Sequence, residues 1–344
     1  MGTLYIDRKD ICVRLDNNAL AFYTQDKREG MVPIAPLKRV IIVGNVTLEA
    51  SVLNRLADKN ISVVFLSGRR MRFRGMLHGR LHNNGLLRIK QYEKSLSNGP
   101  IGQSFPLEFS LDLIMKKIKN QLDFLNEGLA HRPDLRFPLT SSIQTIDKIN
   151  EKLLGIKNGL IGNLNKEPET LMETLRGYEG SAASAYFTGY TALFPESLNF
   201  KNRNRRPPED PVNAMLSLCY TLLHYEMVRE IETIGLDPTI GFYHQFEYGR
   251  ESLACDMVEL FRQDVDRFVW GIFRERHFTV RDFSKDRERP GCYLKKTGRE
   301  RFYPLYEGWA KTKRPLFVHE VRALAKTILG NEYDAFIEQD TLSE

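Results

Sequence analysis

The sequence predicts an α+β protein: a small N-terminal β-rich domain followed by a larger all-α domain. Three observations carry that prediction. The chain has 344 residues, above the size that one hydrophobic core usually serves. Its first 80 or so residues hold short, partly alternating apolar segments separated by turn residues. From Leu86 onward the apolar period lengthens to that of helices. The break is placed at residue 88, giving domains 1–88 and 89–338.

In chain order, TLYID, CVRLD and ALAFYT read as strands with Arg-Lys-Asp and Asp-Asn turns between them, and MVPIAPL and RVIIVG follow. In NVTLEASVLNRLADKN, Asn45 or Thr47 is placed to cap a helix whose apolar face is Leu48, Val52, Leu53 and Leu56. ISVVFLS is a nearly all-apolar strand, and Met71 to Leu77 supplies another. LLRIKQYEKSL is the helix that leaves the first domain, ending at a turn over Ser97 to Pro100. Helical patterns then cover Leu107 to Leu125, Ile143 to Leu153, Leu171 to Phe187, Pro211 to Ile234, Leu253 to Phe268 and Val318 to Ile328. Polar or proline-containing breaks such as FPESLNFKNRNRRPPED and GLDPTIG separate them.

Composition excludes several classes. Hydrophobic residues at 42% and charged residues at 27% are those of an ordinary globular chain, not a disordered or fibrous one. The apolar runs Val40 to Val43 and Ile61 to Leu66 are too short to span a bilayer, and MGTLYIDRKD holds no secretory apolar stretch, so a cytoplasmic protein is expected. The four cysteines form no CxxC pair, which argues against a structural zinc site or a disulfide framework. GxxxxGK[ST], GxGxxG after a strand, GxSxG and HExxH are all absent, which weighs against a phosphate-loop ATPase, a Rossmann dehydrogenase, an α/β-hydrolase and a zincin.

Three segments of the second domain are candidates for chemistry. In GYEGSAASAYF, Glu179 shares a helical face with Ala182, Ala183 and Tyr186; a tight helix crossing with Glu179 facing water explains the pattern as well. In GFYHQFEYGRESLACDMVELFR, His244 precedes a helix on which Asp256 and Glu259 stand at i and i+3. Two carboxylates and an imidazole suit a hard cation, Mg2+ or Mn2+; a core histidine beside two solvated acids is the plain alternative. In KNRNRRPPEDPVNAM, Lys201, Arg203, Arg205 and Arg206 precede a helix that Asp210 caps and Pro211 opens. That cluster is either a phosphate-binding patch or a solvated loop.

Net charge is only +6, so distribution matters more than the sum. Residues 69 to 94 contain Arg69, Arg70, Arg72, Arg74, Arg80, Arg88, Lys90 and Lys94 against the single acid Glu93. RDFSKDRERPGCYLKKTGRERF adds Lys295, Lys296, Arg299 and others, diluted by four acids. Interleaved with Tyr293, Phe302 and Tyr303, this reads as an extended surface for a nucleic-acid backbone.

Taken together, LRGYEGSAASAYF, RRPPEDPVNAMLSLCYTLL, GFYHQFEYGRESLACDMVELFR and the opening TLYIDRKDICVRLDNNAL resemble, in order and across nearly the whole chain, the CRISPR-associated adaptation nuclease/integrase family. The resemblance implies a β-rich dimerisation domain followed by an α-helical catalytic and DNA-binding domain. It implies metal ligands at Glu179, His244 and Glu259, with Asp256 as a further catalytic acid that supports or joins the ligand set. It implies Mg2+ or Mn2+ as cofactor, and DNA contacts at Arg203, Arg205, Arg206, Arg250, Lys295 and Lys296. The implied activity is endonuclease and integrase: spacer DNA enters a CRISPR array by 3′-hydroxyl attack on a phosphodiester. The implied partners are double-stranded DNA, a second copy of the chain and a small adaptation protein. A general metal-dependent repair nuclease and a non-catalytic DNA-binding scaffold are the competing readings.

Overall fold

The computed structural model describes residues 2–68, 70–79, 85–97, 104–160, 168–204, 207–244, 246–285 and 291–333. Arg69, Arg80, Arg205 and Arg206, like part of the turn over Ser97 to Pro100, lie outside the described residues.

The N-terminal strands are β1 (Thr3–Ile6), β2 (Cys12–Asp16), β3 (Ala19–Thr24), β4 (Lys27–Pro33), β5 (Arg39–Val43) and β6 (Thr47–Leu48); helix α1 (Ala50–Asp58) and strands β7 (Ser62–Leu66) and β8 (Phe73–Leu77) follow. They form two four-stranded sheets, ordered β1-β5-β7-β8 and β4-β3-β2-β6. In the first, β1, β5 and β7 run parallel and β8 antiparallel. In the second, β2, β3 and β4 form an antiparallel meander and β6 joins β2 in parallel. Gln25 and Asp26, the two residues between β3 and β4, both have positive φ, as a two-residue hairpin matching strand twist requires. The core gathers Ile6, Val13, Leu20, Val40, Ile42, Val52, Leu56 and Val63. Leu48 does not join α1. Residues Thr47 and Leu48 pair with β2 instead, and the helix begins at Ala50 after Glu49.

The helical part comprises α2 (Gly85–Ser95), α3 (Phe105–His131), α4 (Arg136–Leu160), α5 (Pro168–Ala192), α6 (Pro211–Ile234), α7 (Ser252–Glu259) and α8 (Arg262–Arg274). Short strands β9 (Phe283–Lys285) and β10 (Cys292–Leu294) precede α9 (Lys296–Leu329). The expected helix over Leu253 to Phe268 is two helices. At its end α7 tightens to i→i+3 bonds, Leu260 N–H to the Met257 carbonyl at 3.3 Å and Phe261 N–H to that of Val258 at 3.0 Å, and a new axis starts at Arg262. The expected helix over Val318 to Ile328 is the last third of α9, a 34-residue helix.

The chain divides into two compact units, 1–83 with 293–313 and 84–292 with 314–344. A single break at residue 88 does not contain the return of 293–313 to the first unit. That return is held by chemistry. Asp7 receives Arg299 in a two-pronged pair at 2.6 and 3.1 Å, and the Tyr303 hydroxyl donates to it at 2.7 Å. Tyr303 stacks on Tyr5, centroids 4.1 Å apart. Arg299 is therefore a buried structural residue, not part of an extended DNA surface. Among the described residues no helix is long and apolar enough to cross a membrane.

Candidate metal centre

Glu179 stands midway along α5, with Ala182 and Tyr186 buried on the same face and Ala183 partly so. Glu259 is the last residue of α7 and its side chain is 5% exposed. The two carboxylates, 80 positions apart in sequence, meet at one cation. Lys117 of α3, 8% exposed at its side chain, forms a salt bridge with Glu179 Oε1 and lies 2.6 Å from Glu259 Oε2. Glu259 Oε1 receives Arg262 Nε at 2.6 Å. Oε2 is buried and accepts no well-formed hydrogen bond among the described residues. Burial by itself would raise the Glu259 carboxyl, but the charges of Arg262 and Lys117, with His244 contributing, bring it down to about 2.

His244 lies in the loop before α7, and Asp256 on α7 holds it there. The Asp256 carboxylate is fully buried. Its Oδ2 accepts from the backbone N–H of Phe242 at 2.7 Å and of Tyr243 at 3.1 Å; its Oδ1 accepts from the N–H of His244 at 2.9 Å and from His244 Nδ1 at 2.6 Å. With four donors on two oxygens, Asp256 is committed to shaping the loop and orienting the ring. A neutral ring donating through Nδ1 carries its lone pair on Nε2, the arrangement that metal-binding histidines adopt. Gly241 makes the fit possible, because a Cβ there would stand 2.8 Å from Asp256 Oδ2 and 2.8 Å from the Ser252 carbonyl carbon. Burial, reinforced by the charges of Glu179 and Glu259, pushes the neighbouring Tyr243 hydroxyl up.

Behind Glu259 runs a buried polar network. Arg262 lies over the Tyr220 ring, 4.8 Å from its centroid. The Tyr220 hydroxyl donates to Asp266 Oδ1, and the Tyr186 hydroxyl donates to Asp266 Oδ2 at 2.8 Å. Burial raises the Asp266 carboxyl to about 6. The basic loop joins the same network. Asp210 caps α6, accepting from the Asn213 N–H at 2.8 Å. Asn213 accepts from Arg203 at 2.7 Å and donates to the Asn202 carbonyl at 2.8 Å, and Arg203 also lies over Tyr220 at 5.5 Å. Arg203 is thus occupied in holding its own loop. Arg250 pairs with Glu247 at 2.9 Å. Lys295 and Lys296 are exposed and belong to the first unit, whereas Glu179, His244 and Glu259 belong to the second. Lys117, Arg262 and Asp266 were not singled out from sequence. Lys117 left a signal: it falls on the buried stripe of α3 between Ile114 and Gln121, where a solvated lysine does not belong.

The donor chemistry fits a divalent cation: two carboxylates, one of them with an oxygen lacking a hydrogen bond, and an imidazole oriented by a buried acid. With Lys117 between the carboxylates, the described residues hold no group of three or more His, Cys, Asp or Glu side chains at metal-binding spacing. Such a donor set is of the kind with which metal-dependent enzymes act on phosphodiesters. Comparison with known proteins gives the family. The profile of the CRISPR associated protein Cas1 matches residues 4–308. A CRISPR-associated endonuclease Cas1 of Thermodesulfovibrio yellowstonii is 53% identical, over 96% of this chain and 98% of its own. One from Thermus thermophilus is 27% identical over 98% and 97%. Among solved structures, a Cas1 protein from Thermotoga maritima superposes with a TM-score of 0.78 at 23% identity, covering 96% of this chain and 97% of its own. A casposase bound to integration product gives 0.75 at 21% identity, covering 95% and 90%. The chain belongs to the Cas1 family. It is a metal-dependent DNA endonuclease and integrase of CRISPR adaptation.

Proposed function

We propose that Glu179, His244 and Glu259 bind Mg2+ or Mn2+ and that this site joins spacer DNA to a CRISPR array by 3′-hydroxyl attack, with DNA cleavage at the same centre. The observation that carries the reading is the meeting of two carboxylates from separate helices at one cation, beside an imidazole whose Nδ1 is locked by Asp256. A divalent ion held there supplies charge stabilisation to a phosphodiester undergoing exchange. The chain's own residues do the rest. Arg262 keeps Glu259 ionised in a buried setting. Asp256 fixes the ring tautomer, as a positioning residue and not a ligand. Asn213 and Arg203 hold the basic loop on α6. Arg250, Lys295 and Lys296, with Arg205 and Arg206 outside the described residues, contact DNA phosphates. The first unit provides the contact between two copies, a small adaptation protein completes the assembly, and the protein works in the cytoplasm.

The test is strand transfer. The purified chain, with and without its small partner, is mixed with short duplex DNA and a plasmid carrying leader and repeat, in Mn2+ or Mg2+. Joining at the repeat ends, abolished by EDTA, Glu179→Gln and His244→Ala, is the expected result. Cleavage without joining identifies a general repair nuclease instead. DNA binding with neither reaction identifies a scaffold.

A further inference from the structure

We propose that Lys117 is a built-in placeholder for the divalent cation: its ammonium holds Glu179 and Glu259 together in the metal-free protein and leaves that position when the metal binds. The inference rests on the reading of Glu179, His244 and Glu259 as ligands.

The geometry gives three reasons. First, Lys117 occupies the space that a shared ion needs. Its Nζ forms ion pairs with an oxygen of each carboxylate, and metal–oxygen bonds of about 2.0–2.1 Å to those oxygens leave no room for an ammonium in contact with the same atoms. Second, charge is already balanced. Glu179 and Glu259 face Lys117 and Arg262, so a divalent ion added without rearrangement leaves an uncompensated buried charge, which is strongly unfavourable. Third, only one of the two cations is free to swing. Arg262 is pinned between Glu259 and the Tyr220 ring. Lys117 is a point charge on a four-carbon stem, and its two salt bridges are with the carboxylates themselves. The consequence is that metal binding is an exchange of one cation for another, so the wild-type site binds more weakly than its donors allow.

The experiment measures Mn2+ binding by calorimetry, and melting temperature in EDTA and in Mn2+, on the full chain and on Lys117→Gln and Lys117→Met. Both variants are expected to bind Mn2+ roughly tenfold tighter or more, since a competing positive charge is gone. They are also expected to melt lower than wild type in EDTA and to recover in saturating Mn2+. Unchanged or weaker Mn2+ affinity in folded variants overturns the exchange. Should neither variant fold, the wild-type chain labelled at lysine Nζ decides by NMR. The Lys117 resonance is expected to be protected in EDTA and to shift on Mg2+ saturation, and an unmoved resonance overturns the proposal. Glu179→Gln separates the two levels of inference. Mn2+ binding that survives in it overturns the ligand reading and the exchange with it; binding lost there but unaltered in the Lys117 variants overturns the exchange alone.

Discussion

Asp256→Asn is isosteric, and the structure says how it should fail. The carboxylate accepts four hydrogen bonds, two on each oxygen, in a fully buried position. An amide keeps one acceptor oxygen. Placed at Oδ1, that oxygen retains both His244 donors and strands the N–H groups of Phe242 and Tyr243. Placed at Oδ2, it retains those two and turns its own N–H groups toward His244. The second arrangement strands one backbone donor, that of His244, because the ring adapts: Nδ1 becomes the acceptor and the proton moves to Nε2. One orphaned buried donor costs about 1–3 kcal/mol, and exchanging charged for neutral acceptors adds to it, so a loss of about 2–5 kcal/mol in unfolding free energy is expected. The tautomer change matters more for function. A protonated Nε2 has no lone pair for a metal, and loss of such an orienting partner costs roughly 10–100-fold in affinity or activity. Urea unfolding reads the first effect, and Mn2+ calorimetry with strand transfer reads the second. Stability within about 0.5 kcal/mol of wild type, together with Mn2+ affinity and strand transfer at wild-type level, would falsify the assignment of Asp256 as the residue that orients His244.

Three further outcomes are expected. Gly241→Ala places a Cβ 2.8 Å from Asp256 Oδ2 and from Ser252 backbone; overpacking of this kind costs about 1–3 kcal/mol, and a melting temperature equal to wild type would contradict the close fit. Asp7→Ala leaves the Arg299 guanidinium buried without its partner, a loss of about 3–5 kcal/mol that denaturant unfolding should show. His224 is partly buried; that burial works against its charge, but hydrogen bonds to Cys255 and Glu251 win and lift it to about 9 from 6.5. A raised histidine stabilises the fold fully below pH 6.5, and that contribution fades as pH rises through 9. The stability advantage of wild type over His224→Gln should therefore shrink by on the order of 3 kcal/mol across that window, and a pH-independent difference would rule the linkage out.

Much of the architecture was legible because it is local. Alternation in CVRLD and ALAFYT marks β2 and β3, whereas β4 begins at Lys27, ahead of the MVPIAPL run, because it pairs back on β3 across a two-residue turn. Asp210 and Pro211 announce α6, and the structure shows the cap bond. Errors arose where a distant partner decided. Leu48 matches the apolar face of a helix by spacing, yet β2 offers unpaired backbone groups that extend the sheet. Arg299 sits in a basic run that reads as a surface, but Asp7, 292 positions earlier, buries it. The helix over Leu253 to Phe268 has no proline or glycine to mark its break at Leu260 and Phe261.

The sequence by itself determined the chemistry available: which segments are helices and strands, and that Glu179, His244, Asp256 and Glu259 stand in patterns suited to a hard cation. Tertiary structure alone decided their roles. Asp256 and Glu259 share one helix face at i and i+3, and nothing in that spacing says which acid turns to the histidine loop and which meets Glu179. The packing of α3, α5 and α7 decides it, by burying Asp256 against three backbone N–H groups and Glu259 against Lys117 and Arg262. A buried charge must be met by a partner, and which partner arrives is a property of how distant helices pack, not of any one segment's composition.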